Sequence, residues 1–149
     1  MERRNKIIFI VISLALSIVA FVLAILPNAL AMSFSNGKER FIHYYSFFHT
    51  MPIGYAMWLP LLSSLVIFAS IIIFIIRIFN PFKMIGTCII LPLISAFLLG
   101  LHMVLFSSNV TIPMIIIEVL YFLIFLINLI SFLTFRRSKK QDQMRDNVQ

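Results

Sequence analysis

Apolar residues fill four long stretches of this chain, and polar residues gather in the short intervals between them. The stretches run over 7–26, 56–79, 85–106 and 113–135. A helix needs about 20 mainly apolar residues to cross a hydrocarbon layer ~30 Å thick at ~1.5 Å per residue, so each stretch is long enough. Inside lipid a backbone amide has to find its partner within its own segment, which makes these runs helices. The breaks are sharp: Pro27-Asn28 ends the first, Asn80-Pro81 ends the second, and Ser107-Ser108-Asn109 separates the last two. The pattern predicts an all-α integral membrane protein, one domain over 1–149, with four transmembrane helices in an antiparallel bundle.

Charge orients the bundle. Arg3, Arg4 and Lys6 precede the first helix, Arg77 and Lys83 flank the turn after the second, and Arg136, Arg137, Lys139, Lys140 and Arg145 follow the fourth. With four alternating helices these fall on one side, and only Lys38 and Arg40 fall on the other. Because Lys and Arg mark the cytoplasmic side, both termini are expected in the cytoplasm and the 27–55 loop outside. Arg136, Arg137, Lys139 and Lys140, directly after a membrane helix, read as a clamp on anionic lipids within a basic tail, 136–149. The expected address is the cell (inner) membrane, as a multi-pass protein.

Composition sharpens this and removes several classes. The chain is 62% hydrophobic and 11% charged, against roughly 45–50% and 25% in soluble domains. No soluble fold hides that much apolar surface, and the length leaves no room for a soluble catalytic domain beside the helices. The net charge of +7 sits in short flanks, so it points to lipid and topology and not to nucleic acid. Cys88 is the only cysteine, which excludes an internal disulfide, a CxxC pair and a thiolate metal cage. Neither a Gly-rich phosphate loop nor an HExxH, GxSxG or carboxylate pair occurs. No enzyme activity, cofactor or metal is expected.

Small residues form stripes on two helices. Ser13, Ser17, Ala20 and Ala24 recur at three and four residues, and Cys88, Pro92, Ala96 and Gly100 recur at four. Small side chains let helix backbones approach closely in lipid, where packing and not the hydrophobic effect drives association. Ala29-x-Ala31 after a basic start also fits a signal-peptidase site, with cleavage after Ala31, although the first apolar run exceeds the usual 7–15 residues of a signal core.

In the outer loop, 38–50 places Phe41, Tyr45 and Phe48 on one helical face and Glu39, His43, Ser46 and Thr50 on the other. That spacing predicts a short interfacial helix lying at the headgroup level. Tyr55 and Trp58 read as interfacial anchors where the second helix begins. His43 and His49, six apart, would not share a helix face and make a poor metal pair. Leu26-Pro27, the aromatic run Tyr45 to Phe48, and Met51-Pro52-Ile53-Gly54-Tyr55-Ala56 resemble small, uncharacterised four-helix membrane proteins of Gram-positive bacteria, in which a "TPFGY"-like stretch opens the second helix. Met51 departs from that pattern. The resemblance covers the first half and implies an architecture and a bacterial membrane, with no activity attached.

Two ionisable groups fall inside helices: His102 and Glu118. A charge at the bilayer centre costs ~2.5–3.5 kcal/mol on insertion scales, so such groups are functional candidates. The short connection between the last two helices puts both at one depth, where they are expected to meet. Cys88, Ser95 and His102 are seven apart and share a face, while Glu118, Tyr121, Phe125 and Asn128 lie within one arc of the fourth helix. These stripes, with His102, Glu118, Asn128, Ser95 and Tyr121 as the polar members, define a candidate intramembrane seam. Three readings stay open for it: a proton- or cation-responsive path, a polar clasp, or groups shallow enough to reach outer water. The clasp is favoured because polar groups thin out below Glu118. The sequence thus points to a non-enzymatic accessory, regulatory or assembly subunit that binds other membrane proteins or itself. The alternative is an oligomeric transporter or channel built on Glu118 and His102, and a third reading is a protein that blocks an attacker at the outer surface.

Overall fold

A computed structural model describes residues 2–35, 37, 39–49, 58–81, 84–107 and 110–146. Among them six elements follow in order: α1 (Glu2–Ile25), β1 (Leu30–Ser35), β2 (Arg40–Tyr45), α2 (Trp58–Phe79), α3 (Ile85–Leu105) and α4 (Ile112–Asp146). Four helices are long and apolar enough to cross a membrane, over Arg4–Ile25, Trp58–Phe79, Ile85–Leu105 and Ile112–Thr134. They match the apolar runs to within a few residues at each end. Each helix packs on its neighbours in sequence, and α4 closes the ring against α1. The result is an up-and-down bundle whose short connections make sequential helices adjacent.

The inward stripes repeat every three and four residues, the spacing that keeps one helical face toward a core. On α4 the stripe is Met114, Ile117, Tyr121, Ile124 and Asn128, all buried. On α1 it includes Ser13, Ser17, Ala20 and Ala24, each fully buried. Their large neighbours, such as Val22 and Ile25, are half exposed on the outside, as expected where the surrounding solvent is lipid. Pro92 lies inside α3, and the helix runs through it. Proline is tolerated in membrane helices because neighbouring helices and local adjustment take up the freed backbone group.

Two expectations need correction. The last helix does not end at 135: α4 continues to Asp146, so the segment carrying Arg136, Arg137, Lys139 and Lys140 is helical. At ~1.5 Å per residue its 35 residues span about 52 Å, far more than a ~30 Å hydrocarbon layer. Nothing in 136–146 breaks a helix, since it contains neither Gly nor Pro.

The second correction is larger. Among the described residues 39–49 there is no interfacial helix; Arg40–Tyr45 is a strand paired antiparallel with Leu30–Ser35. The fold is therefore mostly helical with a two-stranded sheet, and not all-α. The register sets Phe34 opposite Phe41, Met32 opposite His43 and Leu30 opposite Tyr45. The physical reason lies between the strands, where Asn36-Gly37 is a hairpin signal flanked by aromatic and β-branched residues. Gly37 takes φ +85°, a conformation side chains disfavour, and its N–H donates to Ser35 Oγ at 3.3 Å. A strand regroups the side chains: Phe41, His43 and Tyr45 share a face, whereas Phe48 leaves it and packs edge-on against Phe21 of α1.

An isolated two-stranded hairpin is marginal in water, and this one is fastened to the bundle by further contacts besides the Phe48–Phe21 pair. The Phe47 N–H donates to the Ala24 carbonyl at 2.9 Å, next to the end of α1. Leu30 and Phe47 are buried in the core. The Thr111 hydroxyl donates to the Ala29 carbonyl at 2.6 Å. Thr111 also caps α4, since its Oγ accepts from the Met114 N–H at 3.3 Å. One side chain thus starts a helix and ties down a strand.

Candidate functional site

The polar residues of the four long helices divide into separate clusters, and the helical stripes decide which meets which. On α2, Ser63, Ser70 and Arg77 are seven apart and buried. On α3, Cys88, Ser95 and His102 are seven apart and buried. Because α2 and α3 run antiparallel, the two ladders face each other. Ser63 Oγ donates to the Ser95 carbonyl at 3.0 Å, and Ser95 Oγ returns to the Ser63 carbonyl at 3.3 Å. At the other end Arg77 lies beside Cys88 and donates to the Pro81 carbonyl at 3.2 Å. Polar groups between membrane helices have few partners other than one another, so such pairs fix register at about 0.6 kcal/mol each.

Tyr121 crosses the bundle toward this clasp. Its ring is fully buried on α4, and its hydroxyl lies by the Ser63 and Ser64 hydroxyls without reaching strict hydrogen-bond geometry. The sequence-expected seam thus forms in part, with Tyr121 and Ser95 gathered through Ser63. Asn128 goes elsewhere. Its amide donates to Ser13 Oγ on α1 at 2.9 Å and to the Ile124 carbonyl at 2.8 Å, while Ser17 Oγ donates to the Ser13 carbonyl at 2.8 Å. Asn128 is therefore a link to α1, because it continues the inward stripe of α4 and α1 is the neighbour there.

Glu118 sits beside that stripe, half-buried between α4 and α3. Its Oε1 occupies space next to Gly100, where a Cβ would approach to 3.3 Å. Gly100 thus supplies the room for the carboxylate as well as belonging to the small-residue stripe, whose members Pro92 and Ala96 are buried. His102 is buried in the last turn of α3 with its ring 5.1 Å from Phe106. Gly100→Leu should force the carboxylate out and cost about 1–3 kcal/mol, as overpacking does. Denaturant titration of the purified protein in detergent would measure it, and Glu118→Ala should return part of the loss. An undiminished Gly100→Leu would show that α3 and α4 are not in close contact there.

At the hairpin end the chemistry is aromatic. Phe34 and Phe41 stack with centroids 6.0 Å apart, His43 meets both edge-on at 5.7 and 5.5 Å, and Tyr45 lies 4.9 Å from His49. The opposite face shows Ile42 and Tyr44, each about 60% exposed. Trp58, at the start of α2, is equally exposed, and Tyr55 lies outside the described residues. Among the described residues no three His, Cys, Asp or Glu side chains gather as metal ligands. No protein-family model, curated protein or solved structure matches this chain.

Sequence reasoning missed Ser63, Ser64, Ser70, Thr111 and the hairpin. The seven-residue spacing of Ser63, Ser70 and Arg77 mirrors that of Cys88, Ser95 and His102 and would have indicated the α2–α3 clasp. The Asn36-Gly37 pair would have indicated the hairpin.

Proposed function

We propose that the protein is a non-enzymatic multi-pass protein of the bacterial cell membrane, both termini cytoplasmic, that works by binding as an accessory, regulatory or assembly subunit. Its partners are other membrane proteins or further copies of itself. One observation carries this reading: an exposed aromatic hairpin is fastened to one end of a closed bundle by Thr111, Phe47 and Leu30. A two-stranded ribbon leaves unpaired strand edges, which are templates for pairing with another chain. Rigid mounting lowers the ordering cost of binding. The orientation rests on the distribution of Lys and Arg.

Transport through Glu118 and His102 would need polar groups in succession along the bundle. The division into a Ser63–Ser95–Tyr121 group and a Ser13–Asn128 group favours the binding reading. Gentle extraction of a tagged copy, with mass and co-purifying proteins determined together, tests it. A stoichiometric partner or a defined homo-oligomer is expected, and it should be lost from the exposed-surface variant Phe41→Ser/His43→Ser. A lone monomer, or a partner kept by that variant, would count against it. Glu118→Gln should leave the assembly unchanged, whereas in a proton-coupled carrier it would abolish flux.

A further inference from the structure

An open groove of about 510 Å³ runs between the hairpin and the start of α4, lined by Asn28, Ala31, Ile42, Tyr44, Thr111 and Ile112 among others. Ile112, which lines it, begins the outer flank of α4. Ile112 is 75% exposed, and Ile115, Ile116 and Val119 follow it on the lipid-facing surface, each about half exposed. The apolar part of α4, Ile112–Thr134, has 23 residues and spans about 34 Å, so Ile112 stands at the edge of a ~30 Å hydrocarbon layer. The groove therefore opens at the level of glycerol and headgroups.

Strand alternation sets Tyr44, Ile42 and Arg40 along one wall, in that order outward from the bundle. Arg40, Ile42 and Tyr44 are two apart and share a face. Ile42 and Tyr44 line the groove, and Arg40 stands about 7 Å beyond Ile42, exposed, toward the hairpin tip. Across the ribbon, Ser33 faces Ile42 and Ser35 faces Arg40. The Thr111 hydroxyl is already engaged with Ala29 and Met114, so the recognition falls to the rim. An apolar flank beginning at Ile112, a tyrosine at the boundary and an arginine beyond it match the order of groups along a lipid. We propose that this groove holds one anionic phospholipid, its chains along Ile112 to Val119 and its phosphate at Arg40. Arginine suits a phosphate because its planar fork donates two parallel hydrogen bonds.

The test uses the full chain carrying Tyr44→Trp and Trp58→Phe, reconstituted in vesicles of phosphatidylcholine with a low fraction of brominated lipid. The unaltered chain, reporting from Trp58 alone, is the insertion control. Brominated phosphatidylglycerol should quench Trp emission at 44 more than the same fraction of brominated phosphatidylcholine does. Adding Arg40→Gln should remove that difference and leave the Trp58 control unchanged. Equal quenching by the two lipids in the parent reporter would overturn the site. Quenching at 44 by aqueous iodide alone, with Trp58 still quenched by lipid, would show the face open to water and overturn it too. Failure of both reporters to meet brominated lipid would overturn the membrane placement on which it rests. None of these outcomes depends on a protein partner, so the binding role stands or falls separately.

Discussion

Tyr121→Ala should be the most damaging single substitution in the helical bundle, with an expected loss of about 3–5 kcal/mol, the range for removing a large buried aromatic side chain. Tyr121 is among the largest fully buried side chains, and it reaches from α4 across to Ser63 and Ser64 on α2. Its ring fills the space between helices that are not neighbours in the ring, so no single backbone shift closes the void. Tyr121→Phe isolates the hydroxyl and should cost little, within about 1 kcal/mol, because that hydroxyl makes no well-formed hydrogen bond. Steric-trap or detergent-denaturant unfolding would read both variants. A costly Tyr121→Phe would mean that the serine hydroxyls hold the phenol firmly and that the cluster acts as a polar network.

The contrast between Tyr121 and Asn128 shows where sequence reading succeeds and where it stops. Both belong to one stripe, and the spacing of 114, 117, 121, 124 and 128 makes the inward face of α4 legible from periodicity alone. Periodicity says which residues face inward and not which neighbour they face. In a four-helix ring, a stripe some 100° wide touches two helices. Tyr121 turned out to face α2, Asn128 faces α1, and Glu118 at the flank faces Gly100 of α3. The helix boundaries were legible because lipid makes length and hydropathy decisive. The 27–49 region was not, because there two periods compete. Its aromatics fit a helical face and a strand face about equally, and only Asn36-Gly37, a two-residue signal, decides between them. The long helix of the tail was hidden for a different reason. Arg, Lys and Gln are good helix formers, but a basic tail after a membrane helix reads first as topology.

Phe47→Ala is expected to release the hairpin while leaving the four helices packed. Phe47 is 1% exposed, and its backbone N–H is the bond that returns the chain to the end of α1. Truncating it removes a large buried ring, again worth about 3–5 kcal/mol, yet the loss should fall on one part of the structure. The hairpin region touches the bundle through Leu30, Phe47, the Phe48–Phe21 ring contact and the Thr111–Ala29 bond, whereas the helices hold one another through Ser63–Ser95, Ser13–Asn128 and the Tyr121 contact. Two units with so few shared anchors can open separately. Hydrogen exchange on the reconstituted protein would then show the amides of Leu30–Ser35 and Arg40–Tyr45 exchanging at least about a hundredfold faster, since each 1.4 kcal/mol is tenfold, with helix protection unchanged. The same variant should lose any partner that binds the hairpin, because a freed ribbon pays the ordering cost that its mounting avoids. Uniform loss of protection through α1 to α4 would instead make the hairpin an integral part of the bundle's cooperative unit. Its aromatic face would then be there to complete the core and not to meet another molecule.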